Sequence, residues 1–227
     1  KEMTPYLTAV FKVEAFELGG HGKTQPLAVP TIAAEVARLR AFIQEKGFAY
    51  PTLVGHGLGG MIALQYATEH PADVHRLIML DAGPVQLASP EQKKEVAAEL
   101  LNNYDRFIGG RYSMMSPYEN ITDEILDSAL KTDRASFTSL LMDSFEFDMT
   151  EKLHTLTVPL LVMGSELLFP NPDQCQAVLN QIGFGKARAL SFKRMGQTGH
   201  FMMLERPAYT SSVIGTFGMD AAHIFEN

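Results

Sequence analysis

The stretch Thr52-Leu53-Val54-Gly55-His56-Gly57-Leu58-Gly59-Gly60-Met61 constrains the fold of this chain more than any other. A β-type run enters a glycine cluster without a spacer. It leaves as an Ala-, Leu- and Met-rich helical run from Leu58 to Glu69, stopped by Pro71. Such a strand–turn–helix unit belongs to a sheet whose strands run parallel and whose connections are helices. The flanking texture repeats it. Phe11 to Phe16 (FKVEAF) reads as a strand, and Thr31 to Lys46 as a helix with Ile32, Val36, Leu39 and Ile43 at helical spacing. Arg76 to Leu80 (RLIML) and Val158 to Met163 (VPLLVM) read as buried strands, and Ala187 to Phe192 as another. Helices are expected around Pro172 to Ile182 and from Pro207 to Phe217, with the tail fading from Gly218 to Asn227. Ser89 to Asp148 breaks the alternation with three helical patterns and no good strand. The expectation is a single α/β domain, a mostly parallel sheet with helices on both faces. Its core would be 1–85 and 149–227, and a helical lid would fill 86–148 over one end of the sheet.

Composition narrows the function. Of 227 residues, 46% are hydrophobic and 20% charged, an ordinary globular balance, and the formal charge is −7. No Lys/Arg cluster forms a basic stripe, so neither nucleic acid nor an anionic membrane is an expected partner. The single cysteine, Cys175, excludes an internal disulfide. No apolar run reaches membrane-spanning length and no leader pattern opens the chain, so a cytoplasmic location is expected. The Asn120-Ile121-Thr122 sequon carries little weight in that setting.

Three chemistries compete for the glycines. Glu17 to Thr24 (ELGGHGKT) ends like a phosphate-binding loop. Its first glycine position holds Glu17, whose carboxylate would repel phosphate, and Gln25 to Pro30 contains two prolines where a helix must start. Gly55, Gly57 and Gly60 spell the dinucleotide pattern G-x-G-x-x-G, with Asp81 placed for a ribose hydroxyl. His56 counts against this reading, because its ring stands where backbone must approach a pyrophosphate. The third chemistry is the G-x-S-x-G turn that lifts a serine above a sheet, with Gly57 at the serine position.

Four further segments resemble the α/β-hydrolase family, in the family's order. Phe11 to Thr24 resembles its strand and D-x-x-G-x-G-x-S turn, with Glu17 and Thr24 in place of Asp and Ser. His70 to Pro84 resembles the segment between nucleophile helix and lid. Leu156 to Glu166 resembles the strand that leads to the triad acid, and Gly199 to Pro207 the loop that carries the catalytic histidine. The resemblance implies hydrolysis of a small carboxylic ester or related acyl bond, with no cofactor and no metal. It places His200 as the general base, Leu58 N–H as an oxyanion donor, and either Asp81 or Glu166 as the acid, with Asp173 the next carboxylate. It gives His56 a packing role. Met114, Met115, Met142 and Met149 are adaptable core or the lining of an acyl pocket.

Two parts of that machine are missing from the sequence. Gly57 has no side chain, so no covalent intermediate can form there. The His-Gly loop that supplies a second oxyanion donor belongs before the Phe11 strand, where only ten residues stand. Either an N-terminal piece is lacking or the sheet starts late and leaves an edge to be covered. The chain is therefore expected to be near-inactive: a nucleophile knockout made by design, or a natural relative that binds a small molecule or a protein, with a dinucleotide site as the remote alternative. A homo-oligomer is left open.

Overall fold

The computed structural model describes residues 1–219; the last eight residues of the expected tail lie outside them. A short helix α1 (Thr4–Leu7) precedes α2 (Ile32–Glu45), which Thr31 caps by accepting the Ala34 N–H. Strand β1 (Thr52–His56) then leads through Gly57 into α3 (Leu58–Glu69), followed by β2 (Arg76–Leu80). Four helices come next: α4 (Pro90–Asn102), α5 (Tyr104–Ser113), α6 (Glu119–Leu130) and α7 (Arg134–Ser144). The chain returns with β3 (Leu160–Ser165), α8 (Cys175–Gln181), β4 (Leu190–Met195), α9 (Met202–Glu205) and α10 (Pro207–Gly218).

The sheet is parallel throughout, in the order β1-β2-β3-β4, with Val54 opposite Ile78, Ile78 opposite Leu161 and Leu161 opposite Ser191. Period-two alternation sorts its side chains. Leu77, Met79, Leu160 and Val162 pack with α2, α3 and α8, while Ile78, Leu80, Leu161 and Met163 pack with α1 and α10. Both faces are covered, which is why β2 and β3 are buried along their whole length.

The helices α4–α7 form an insertion with an apolar core of their own, built on Leu100, Tyr104, Ile108, Leu141 and Phe145. Its base is pinched by an antiparallel bridge between Val85 and Asp148 and by the Met149 N–H donating to the Pro84 carbonyl at 2.8 Å. There are four helices where three patterns were expected. Asn103 ends α4 and opens α5 without a proline or glycine to announce the break.

The reading of Phe11 to Phe16 as a strand is corrected. The segment opens on a bend at Phe11, has no regular structure after it and joins no ladder. Phe11 packs against the α10 side and Phe16 against the Phe42 ring, 5.4 Å away. A groove of about 810 Å³ separates the segment from β1, which is an edge strand with Val54 41% exposed. Two strands also start later than expected. Pro159 has no N–H to give, so β3 begins at Leu160; Ala187 closes a 3-10 turn, so β4 begins at Leu190. Among the described residues no helix is long and apolar enough to cross a membrane.

Candidate active site

The turn between β1 and α3 is built by crowding. A Cβ on Gly55 would collide with the Gly59 carbonyl and come within 2.6 Å of the Gly60 nitrogen; a Cβ on Gly60 would lie 2.6 Å from the Ala82 Cβ. Only glycine lets the strand and helix meet so closely. Gly59, by contrast, has open space beside it. Gly57 sits at the apex with φ 50° and ψ −118°, and its N–H donates to the Leu80 carbonyl. A side chain there would leave the turn toward His200, whose Nε2 is 3.4 Å from the position a Cβ would take.

His200 lies 143 residues from Gly57 in sequence and is brought there by the loop after β4. Its Nδ1 donates to Asp81 Oδ2 at 2.9 Å. A carboxylate can only accept, so the proton belongs on Nδ1 and the Nε2 lone pair faces Gly57. Asp81 follows β2 directly in a left-handed conformation, φ 45°. Its carboxylate takes the Ser165 N–H on Oδ1 at 2.8 Å and the Ser165 hydroxyl on Oδ2 at 2.9 Å. Ser165 is itself fully buried, and its Oγ accepts the Leu168 N–H. The acid is thus held by three donors before any ligand arrives.

Glu166, the alternative acid, is not brought to His200. Its carboxylate accepts the Gln197 N–H and pairs with Arg194 at 3.1 Å. Those bonds, the backbone one foremost, hold it below the ordinary glutamate range. It fastens the β3 and β4 loops to one another. Asp173 lies on an exposed 3-10 turn.

Leu58 is the first residue of α3, so its N–H has no acceptor within the helix and points out at the turn. His56 packs on the histidine loop: its ring centroid is 4.2 Å from that of His200, and its Nε2–H donates to the His200 carbonyl at 2.9 Å. Burial first, and the neighbouring His200 second, push its pKa well below the ordinary histidine value, so it stays neutral.

These groups open into a cavity of about 630 Å³ between the sheet end and the insertion, lined by Leu18, Met61, Met115, Ile125, Leu140 and Leu168 among others. Of the four methionines singled out in the sequence, Met115 alone lines it; Met149 is in the core, Met142 packs in the insertion and Met114 is exposed. The insertion is tied to the histidine loop. The His200 N–H donates to the Met115 carbonyl at 2.6 Å, and Glu205 accepts the Ser116 hydroxyl and the Gly199 N–H. Burial raises the Glu205 carboxyl above its usual range.

Sequence reasoning did not find Ser165, Glu205 or Arg111, which also lines the cavity. Ser165 and Glu205 leave no signal in a single chain. Arg111 does leave one: Phe107 and Ile108 stand four and three residues before it at helical spacing, an apolar pair with a cation beside it.

The two phosphate readings find no support in the geometry. Glu17 accepts the Lys23 N–H and the Thr24 hydroxyl, so the ELGGHGKT loop closes on its own carboxylate. Asp81, needed for a ribose, is spent on Ser165 and His200. Among the described residues no group of three His, Cys, Asp or Glu could hold a metal ion.

Residues 2–213 match the alpha/beta hydrolase family. An uncharacterized protein of Mycobacterium tuberculosis is 40% identical over 76 residues, 33% of this chain and 22% of that protein. A pimeloyl-[acyl-carrier protein] methyl ester esterase of Aromatoleum aromaticum is 35% identical over 89 residues, 39% of this chain and 34% of that enzyme. The match thus spans a third or less of the first of these curated relatives and about a third of the second. A thermophilic esterase from Thermogutta terrifontis superimposes with a TM-score of 0.82 at 20% identity, covering 98% of this chain and 84% of that one. With strand, glycine turn, helix, acid and histidine loop in place, this chain belongs to the alpha/beta hydrolase family.

Proposed function

We propose that the chain is an esterase-type scaffold that binds a small carboxylic ester or related acyl compound in the cavity under α4–α7, acting as a lid, and that Gly57 leaves it near-inactive. The observation that carries this reading is the orientation of His200: an Nδ1-protonated imidazole, anchored on Asp81, with Nε2 aimed at the place where a nucleophile would stand. With serine at 57 the hydroxyl oxygen would attack the acyl carbon while its proton passes to His200 Nε2. Leu58 N–H would take the carbonyl oxygen's developing charge, and the histidine would then return the proton to the leaving alcohol. With glycine there, binding and the single Leu58 N–H donor remain, less than the complete oxyanion hole that leaves about 10³–10⁴-fold over water in triad enzymes lacking their nucleophile. The ligand is a small molecule, not nucleic acid or membrane, in keeping with the net charge of −7.

The test is Gly57→Ser. The variant should be labelled by a fluorophosphonate probe and should release p-nitrophenol from short-chain p-nitrophenyl esters at least about 10²-fold faster than the parent. A folded variant that is neither labelled nor active would overturn the reading. The second reading is a binding relative with no acyl chemistry at all. It is favoured only by Gly57 itself and predicts ligand binding with no gain on restoring the serine.

A further inference from the structure

Among the described residues Arg111 is the one arginine or lysine that lines the cavity, and the chemistry above leaves it unused. It projects from α5, partly buried, into the space shared by Gly57 and His200. The adjacent Tyr112 ring lies 6.0 Å from Phe201, whose ring is 5.2 Å from His200, so this part of α5 abuts the histidine loop. Among the described residues no carboxylate pairs with Arg111 and no hydrogen bond engages it.

The other arginines are placed differently. Arg38 pairs with Glu35 and Arg194 with Glu166; Arg134 and Arg206 donate to the Leu100 and Gly196 carbonyls. Arg76 lies over the Phe217 ring, and Arg40, Arg106 and Arg188 face water. Loss of water pushes the Arg111 pKa down, the adjacent Tyr112 offsets it only in part, and no carboxylate contributes. Among the described residues the only acid lining the cavity is Asp81, already bound by Ser165 and His200. In a protein of charge −7, the described lining of the cavity therefore carries an uncommitted positive group and no uncommitted negative one. A partly desolvated guanidinium gains from a partner, and a planar fork of N–H donors matches a carboxylate in two parallel bonds.

We propose that the cavity takes an acyl compound with a free carboxylate, a half-ester of a short dicarboxylic acid, whose carboxylate is held by Arg111 while its ester carbonyl lies at Gly57 and Leu58. This deepens the ester-binding reading above and rests on it for the position of the carbonyl, but the carboxylate contact is testable without turnover.

The chain as it stands, with Gly57, is titrated calorimetrically with monomethyl and dimethyl esters of succinate, glutarate and adipate. In parallel, Gly57→Ser is assayed with p-nitrophenyl hemi-glutarate and p-nitrophenyl butyrate. At least one half-ester should bind about tenfold or more tightly than its diester, and Arg111→Gln should lower that preference by about 10–100-fold. Arg111→Lys, which keeps the charge and loses the fork, should fall between; it also serves if the glutamine variant fails to fold. Equal binding of half-ester and diester, no binding of either, or an unchanged preference in a folded Arg111 variant would each overturn the proposal. An inactive Gly57→Ser combined with half-ester preference in the Gly57 chain would sink the hydrolase reading and leave the carboxylate site standing.

Discussion

Replacing Asp81 by asparagine separates the two carboxylates that the sequence could not separate, and it does so without any substrate. The Asp81 carboxylate accepts three hydrogen bonds, from the Ser165 N–H at 2.8 Å, the Ser165 hydroxyl at 2.9 Å and His200 Nδ1 at 2.9 Å. Hydrogen bonds to a charged group contribute about 1.5–3 kcal/mol each. Asparagine keeps one oxygen, which can still serve the Ser165 N–H. Its NH₂ then faces a hydroxyl whose oxygen already accepts from Leu168 and a ring nitrogen that carries a proton, so His200 must change tautomer or turn away. Losing one to two such bonds gives a destabilisation of about 2–4 kcal/mol. For a domain of this size that corresponds to a melting temperature lower by roughly 5–15 °C. Glu166→Gln acts on an exposed ion pair and should leave the melting temperature nearly unchanged. Differential scanning calorimetry at neutral pH measures both. Ser165→Ala, which removes one donor and strands the Leu168 N–H, should be less than additive with Asp81→Asn. In the Gly57→Ser background, Asp81→Asn should also reduce kcat by about 10³–10⁴-fold. A parent-like melting temperature for Asp81→Asn, or a larger loss in Glu166→Gln, would refute the reasoning.

Gly55→Ala should prevent folding or cost several kcal/mol, about the upper range for single substitutions, whereas Gly59→Ala should be neutral or stabilise helix α3 by roughly 0.5–1 kcal/mol; thermal melts of the two variants compare them directly. Burial raises the Glu205 carboxyl in the folded state, so the stability tied to its protonated form is complete below the unfolded value of about 4.3 and is lost as pH rises through the folded value. Glu205→Gln should therefore gain on the parent as melts are taken from pH 4 to pH 7, and a difference independent of pH would count against it. Titration with a nicotinamide cofactor should give no saturable fluorescence change, because the acid that would hold its ribose is bound internally.

Some of this architecture was legible from residues alone, for identifiable reasons. The continuous apolar run RLIML could only be a strand covered on both faces, and the limits of α3 were set by a glycine turn and a proline. FKVEAF misled because β-type residues answer to packing as well as to a ladder: Phe11 and Phe16 are partly covered by helices here, and Val13 is exposed. The choice between Asp81 and Glu166 was beyond reach because each follows the C-terminal end of one of two adjacent strands, β2 and β3. Which carboxylate meets the histidine depends on backbone direction at single residues, and the decisive one is the left-handed conformation of Asp81. Sequence spacing carries no record of that.

The positive φ of Gly57 has a consequence for descent as well as for chemistry. A serine held at φ 50° would carry strain of order 1–3 kcal/mol, sustained in an active enzyme by selection for turnover. Glycine releases it. A lineage that loses its nucleophile by this route gains folding stability in the same step, and regaining the hydroxyl means giving that stability back while turnover is still unselected. Such a substitution, where a lineage makes it, would behave as a ratchet: easy to enter, difficult to reverse, and open in the meantime to a new use for the cavity it leaves behind.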